Sequence, residues 1–316
     1  MDAETPATEA RPRKKIEIHG LALPEVKPGD DLARFLAEAA GVACGGIREG
    51  DALVVTSKVV SKSAGLLVHF DQVEATPQAL RISRAVGGDP RKIQIVLDHS
   101  DGVIFALPVE ELRDRGLMAL EEFTEPGIEI DATVSKNPSM LLVERHGQVC
   151  FDAGLDFSNH PEGTGSLPPP DPNRTATELR QAIQSLAGVR KVAVLISDTE
   201  LSLAGGTVDL ARGAAGMQVI DHGMGRPDRF GHPKFGGMDN LAQEMAAAAA
   251  LLMGQAAEGI PAVLIRGVDF SPSEEDHITG WTKKPADLRS LLWLTLKRSA
   301  QALGLRAILR AILGGR

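Results

Sequence analysis

The sequence predicts a globular protein that combines strands with helices and is long enough for two domains. Its 316 residues are about twice the usual domain length. Hydrophobic residues make up 43% and charged residues 24%, the composition of a chain that buries a core. Short β-branched runs alternate with segments of helical spacing from Ile16 onward.

Residues 1–15 contain Pro, Thr, Glu and Arg but no apolar stretch of the kind a signal peptide needs, and are expected to form a disordered tail. Residues 16–19 read as a strand. Pro28-Gly29-Asp30-Asp31 turns the chain, and Asp30 or Asp31 is placed to cap a helix from Leu32. Leu32, Phe35, Leu36 and Ala39 form its apolar face, with Gly41 expected at its end. Glu49-Gly50-Asp51 then launches a buried strand over 52–56. Residues 75–125 alternate helical patterns with short apolar runs and offer little chemistry. Residues 140–143 and 148–151 read as a hairpin, and 152–172 as a loop rich in Gly, Pro and Asn. A helix over 176–186, a core strand over 192–196 and a Gly-rich stretch over 205–237 follow. An Ala-rich helix over 241–253, closed by Gly254, and a strand over 262–265 complete this part.

Thirty-four Lys and Arg against forty-two Asp and Glu give a net charge of −8, which argues against nucleic-acid binding and for small-molecule partners. The two cysteines, Cys44 and Cys150, are too few for a disulfide framework or a cysteine zinc site. No apolar run reaches the roughly 18 residues of a membrane span. A reducing, cytoplasmic setting is expected.

Four places carry residue types suited to chemistry. Thr56-Ser57-Lys58-Val59-Val60-Ser61-Lys62 follows a buried strand, and its ammonium groups and hydroxyls suit phosphate oxygens. The spacing is not that of a Walker loop, and a solvated polar strand edge is the competing reading. Asp152-Ala153-Gly154-Leu155-Asp156-Phe157-Ser158-Asn159 offers oxygens for magnesium or manganese, or simply a set of Asx turns. Ile196-Ser197-Asp198-Thr199 ends the core strand in a carboxylate and a hydroxyl, suited to a divalent ion over phosphates or to a cap. Gly225-Arg226-Pro227-Asp228-Arg229-Phe230-Gly231 combines close backbone approach with bidentate arginines, or is a plain surface loop. His99, His146 and His160 have no metal-ligand spacing and read as structural.

The order of Gly20-Leu21, Pro28-Gly29-Asp30-Asp31-Leu32, Gly50-Asp51, Ser57-Lys58-x-x-Ser61-Lys62 and Ala153-Gly154-x-Asp156-x-Ser158-Asn159 continues in Asp198-Thr199, Gly225-Arg226-x-Asp228, Ala242-x-Glu244 and Gly259-Ile260-Pro261. With Arg266-Gly267, these segments closely resemble the coenzyme F420-0:gamma-glutamyl ligases over residues 16–267. That family joins the terminal carboxylate of a deazaflavin coenzyme precursor to L-glutamate, using GTP and manganese or magnesium. The resemblance implies an α+β protein of two domains with mixed sheets flanked by helices around a cleft. It implies a homodimer, with a ligase core over 16–270 built from two intertwined subdomains. Carried over residue by residue, Gly20, Leu21, Ala22, Leu23, Ser57, Lys58, Lys62 and Asn159 would hold the nucleotide. Asp156, Asp198, Thr199 and Gln255 would hold the metal, with Asp156, Asp198 and Lys62 in the chemical step. Arg226, Asp228 and Glu244 would face the substrate.

The chain also departs from that pattern. Glu200-Leu201-Ser202-Leu203-Ala204-Gly205 has no arginine where the family usually shows two, Gln243 replaces an Asp, and His232 replaces an Arg. The same ligation on a different carboxylate, or a non-catalytic nucleotide-binding paralogue, are the alternatives. Residues 271–316 are expected to form a basic, amphipathic helical extension, either packed on protein or touching a membrane surface.

Overall fold

A computed structural model describes residues 15–202, 205–278 and 285–306. In chain order its elements are β1 (Glu17–Leu21), α1 (Leu32–Cys44), β2 (Asp51–Thr56), α2 (Ser57–Ser63), β3 (Leu67–His69), α3 (Pro77–Val86), α4 (Pro90–Asp98), β4 (Gly102–Leu107), α5 (Val109–Asp114) and α6 (Asp131–Lys136). There follow β5 (Met140–Arg145), β6 (Gln148–Phe151), β7 (Thr164–Ser166), α7 (Pro172–Ala187), β8 (Val192–Leu201), β9 (Thr207–Ala215), α8 (Leu241–Met253), β10 (Ala262–Arg266) and α9 (Pro285–Leu303). The fold is α+β, with parallel and antiparallel pairing in one sheet. The chain divides into two units: the described residues of Met1–Ala64, Pro169–Asp198 and Asp209–His277, and those of Gly65–Pro168, Thr199–Val208 and Ile278–Arg316.

The first unit is built on a five-stranded sheet in the order β1-β10-β2-β8-β9. β10 runs antiparallel to β1 and β2, and β2 runs parallel to β8. Ala52, Leu53, Val54 and Val55 are all fully buried, so both faces of the sheet are covered and β2 reads as a continuous apolar run. Leu53, Val55, Val194 and Ile196 pack with Leu36 and Ala40 of α1 and with Ala176 and Ile183 of α7. α8 sets its buried Ala242, Met245, Ala246 and Ala249 against β1, β2 and β10. Asp31 caps α1 by accepting from the Arg34 N–H, as its position predicts. Gly41 does not end that helix: it lies exposed within it, and the left-handed residue that closes it is Gly45.

At one end of this sheet Arg266 grips Asp51, its Nε 2.9 Å and a terminal nitrogen 2.7 Å from the two carboxylate oxygens. Asp51 is only 1% exposed. These residues border a pocket of about 340 Å³ that Arg48 and Asp269 also line. Elsewhere Arg180 Nε reaches the Val192 carbonyl at 2.7 Å by passing over Gly216. A Cβ at Gly216 would stand 2.1 Å from that nitrogen, so the site requires glycine on space as well as on its φ of +81°.

In the second unit β4, β5 and β6 form an antiparallel meander, and β3 pairs with β7. Ile93, Ile95 and Val96 of α4 pack with Leu141, Val143, Cys150 and Leu155. The predicted hairpin is present, with His146 and Gly147 both at positive φ (51° and 75°), as a two-residue turn between twisted strands requires. The predicted loop over 152–172 is partly ordered: Asp152–Gly154 is a 3-10 turn and Thr164–Ser166 is β7. The Gly-rich stretch likewise contains a strand, β9. α9 ends before Gly304, whose φ is +79°. Residues 1–14 of the tail expected over 1–15, and residues 203–204, 279–284 and 307–316, lie outside the described residues. Among the described residues no helix is long and apolar enough to cross a membrane.

Candidate functional site

The register of the large sheet decides what meets at its other end. Leu21 pairs with Ala262, Ala262 with Val55, and Val55 with Ile196, so these four residues form one row across the strands. Just past that row come Ala22-Leu23 after β1, Pro261 before β10, the start of α2 after β2, and Ser197-Asp198. The Thr56 N–H donates to the Pro261 carbonyl at 2.9 Å. Gly20 sits where a Cβ would stand 2.9 Å from Ile260 Cγ2, so the β1 end approaches the Gly259-Ile260-Pro261 turn closely. Lys62 Nζ donates to Glu25 Oε1 at 2.8 Å, tying α2 to the segment that follows Gly20–Leu23. The structure therefore gathers Gly20, Leu21, Ala22, Leu23, Ser57, Lys58, Lys62 and Asp198 at one sheet end.

Two local readings change. Ser57 to Lys62 is not a strand edge but the body of a helix, with Ser57 and Ser61 at 4% and 1% exposure. The Ser61 and Ser197 hydroxyls are buried with no hydrogen-bond partner among the described residues. Asp198 does not end its strand either, because β8 continues to Leu201.

On β9, the strand beside β8, Asp209 is 2% exposed, and Gln255 Nε2 lies 3.3 Å from its Oδ1. The sequence reading missed Asp209 because the surrounding glycines hid the strand. Its only signal is the alternation of Val208, Asp209 and Leu210.

Asp156, Ser158 and Asn159 belong to the second unit, as does Thr199. Asp156 exchanges both backbone bonds with Ser166, at 3.0 and 2.9 Å. Its Oδ1 accepts from the Ser158 N–H and hydroxyl, each at 2.8 Å, which makes an Asx turn and leads to Asn159 at a φ of +55°. His160 Nδ1 lies 2.8 Å from the Ser158 carbonyl and His99 Nδ1 2.8 Å from the Ile95 carbonyl, local bonds that fit their structural reading.

Four residues before Asp156, Asp152 is partly buried. Burial pushes its carboxyl up to about 6; the Leu141 N–H opposes this, nearby Glu200 adds to it and Lys92 opposes it. Asp152 and Ala153 hold positive φ angles of 47° and 54°, uncommon for residues with side chains. Lys92 lies 4.0 Å from the Phe157 ring centroid, and desolvation lowers its pKa. Neither Lys92 nor Glu200 stood out as functional in the sequence.

A divalent ion suits the donors present. Asp156 and Asp198 supply carboxylates, Thr199 a hydroxyl and Gln255 a carbonyl, all hard oxygens. Among the described residues no group of three or more His, Cys, Asp or Glu side chains is arranged to hold a metal.

Arg226, Asp228 and Glu244 all lie in the first unit. Arg226 is exposed and reaches Asp221 at 3.3 Å, Asp228 accepts from the Phe230 and His232 N–H groups, and Glu244 is exposed in the first turn of α8. Gln243 has a structural task. Its carboxamide accepts from the Ala211 N–H at 2.8 Å and donates to the Ala211 carbonyl at 2.9 Å, which a carboxylate cannot do.

Comparison with known proteins identifies the family. The profile of the F420-0:Gamma-glutamyl ligase family matches residues 20–267. A coenzyme F420:L-glutamate ligase of Methanopyrus kandleri is 34% identical over 268 residues, covering 84% of this chain and 91% of the relative. Enzymes of the same name from Methanothermobacter thermautotrophicus and Archaeoglobus fulgidus are each 32% identical, covering 83% and 81% of this chain and 91% and 90% of the relatives. The chain thus belongs to the F420-0:gamma-glutamyl ligase family and is an amide-forming ligase.

Proposed function

We propose that this enzyme joins the terminal carboxylate of coenzyme F420-0 to the amine of L-glutamate, consuming GTP in the presence of manganese or magnesium. A carboxylate oxygen attacks the γ-phosphorus and GDP leaves. The glutamate nitrogen then attacks the acyl phosphate carbon, phosphate departs, and the nitrogen loses its proton. The observation that carries this reading is the row Leu21–Ala262–Val55–Ile196, beyond which the Ser57–Lys62 segment and Asp198 meet. Lys58 and Lys62 would balance charge on the phosphates, Ser57 would donate a hydroxyl, and Gly20–Leu23 would let the backbone approach the nucleotide. Asn159 would join them, and Arg226, Asp228 and Glu244 would contact the acceptor. Asp156, Asp198, Thr199 and Gln255 would hold the ion, whose chemistry is to neutralise charge across the phosphate oxygens. The relatives' names and the oxygen-only donor set support this assignment.

A second reading keeps the chemistry and changes the acceptor, favoured by Ser202 and its neighbours offering no arginine and by Gln243 being engaged with the β9 backbone. Mass spectrometry after incubation with F420-0, glutamate, GTP and manganese tests both. The expected result is F420-0 carrying an added glutamyl residue, with one GDP and one phosphate released per bond. GTP turnover with unchanged F420-0 would select the second reading, and neither turnover nor product would defeat the ligase assignment for this chain.

A further inference from the structure

We propose that Asp209 is a positioning residue that sets which end of the Gln255 carboxamide faces the divalent ion. The proposal rests on the assignment of Gln255 to the ion's donors in the proposed reaction. Gln255 Nε2 donates to Asp209 Oδ1 at 3.3 Å. An ionised carboxylate only accepts, so the amide nitrogen is the end that must turn toward Asp209. The carboxamide oxygen is thereby directed away from Asp209, and oxygen is the donor that a hard cation takes. Without such a partner the near-symmetric amide can rotate and present N–H hydrogens to a cation in place of a lone pair. Both residues are placed for this task. Asp209 is 2% exposed on β9, the neighbour in the sheet of the strand that carries Asp198. Two residues on, Ala211 is held through its N–H and its carbonyl by the Gln243 carboxamide, at 2.8 and 2.9 Å, so the strand bearing the carboxylate is clamped to the start of α8. Gln255 follows the other end of α8, in the connection to β10 at the sheet end where Ser57, Lys58 and Lys62 gather. Its backbone is fixed there. The Ala256 N–H donates to Glu258 at 2.9 Å, and Gly254, at a φ of +66°, admits the Glu258 carboxyl where a Cβ would stand 2.2 Å from its carbon. With the backbone set, the rotamer of this exposed glutamine is the remaining variable, and a buried carboxylate that accepts from its amide sets it.

The test measures manganese binding to the full chain in the presence of GDP, with free manganese read from its aqueous EPR signal. Asp209→Leu roughly keeps the volume but offers no acceptor, and is expected to weaken manganese binding by about tenfold or more. Asp209→Asn, whose carboxamide oxygen still accepts from Gln255, should stay within about threefold of the parent. Gln255→Ala should weaken binding as Asp209→Leu does. The double variant Asp209→Leu, Gln255→Ala should bind no more weakly than Gln255→Ala alone, because Asp209 acts only through Gln255. Thermal midpoints check folding, and Asp209→Ala takes the place of Asp209→Leu in the same cycle should the leucine variant not fold. Undiminished binding in Asp209→Leu overturns the proposal. So do equal losses in the asparagine and leucine variants, which would mean that Asp209 acts by its charge, and multiplying losses in the double variant, which would mean that the two residues act separately. Undiminished binding in Gln255→Ala would remove Gln255 from the ion's donors and the proposal with it, while glutamylation of F420-0 by the parent would leave the ligase reading intact.

Discussion

Glu200, 7% exposed, accepts a hydrogen bond from the Phe151 N–H at 3.1 Å. The end of β6 is thereby fastened one residue beyond Thr199, and the Asp152–Gly154 turn that leads to Asp156 starts from that fixed point.

Glu200→Gln keeps an acceptor for Phe151, whereas Glu200→Ala leaves a buried N–H unsatisfied. The alanine variant is expected to lose about 1–3 kcal/mol of stability and the glutamine variant much less. Urea unfolding gives that comparison, and a manganese titration of GTP turnover should show a weaker apparent metal affinity in Glu200→Ala alone. Equal behaviour of the two variants would remove the tether.

Asp152 gives the stability a definite pH slope. Its folded carboxyl keeps a proton up to about 6, while an unperturbed one releases it near 3.8. Between those values the folded state binds more protons than the unfolded state, so this group's contribution makes stability fall as pH rises. Asp152→Asn, which can still accept from the Leu141 N–H, should remove that fall and raise stability at pH 7 by on the order of 2–3 kcal/mol. Urea midpoints at pH 4 and pH 7 check it; parallel shifts in variant and parent would contradict the assignment.

Asp198→Asn preserves side-chain volume within β8 but loses the charge that balances a cation. GTP turnover in manganese is expected to drop by more than about 100-fold with the thermal midpoint unchanged. Full activity would take Asp198 out of the site.

Lys62 is only 13% exposed in its pairing with Glu25, whose own side chain is 71% exposed. Lys62→Ala is expected to cost roughly 2–5 kcal/mol of nucleotide affinity if the ammonium meets a desolvated phosphate. Calorimetric titration with GDP and manganese measures this, and an unchanged Kd would leave Lys62 as a partner of Glu25 alone.

The sequence reading succeeded where local chemistry and tertiary structure agree. Asp31 as a cap, Gly254 after α8 and His146-Gly147 between β5 and β6 each act through their own backbone. It failed at α2, because Val59 and Val60 favour strands and two serines are an unusual inward face for a helix; packing against β2 overrides both tendencies. Gly41 misled because a glycine inside a helix looks like a stop, although the left-handed turn comes at Gly45. At the site, the serine-lysine segment and Asp198 were legible as motifs. Asp209 and Glu200 were not, since their meaning lies in burial and in partners far along the chain.

The position of β10 has a consequence for how the molecule is made. Ala262–Arg266 lies between β1 and β2, the first two strands of the chain, which have no pairing with each other in the sheet. During synthesis both strands emerge long before the strand that separates them, leaving the facing edges of β1 and β2 unpaired. The large sheet therefore closes only after residue 266 leaves the ribosome, and a chain interrupted before Ala262 has no arrangement that satisfies β1. Folding of this unit therefore waits for its longest-range strand pairing, and the chain that has yet to deliver β10 is the form most exposed to aggregation.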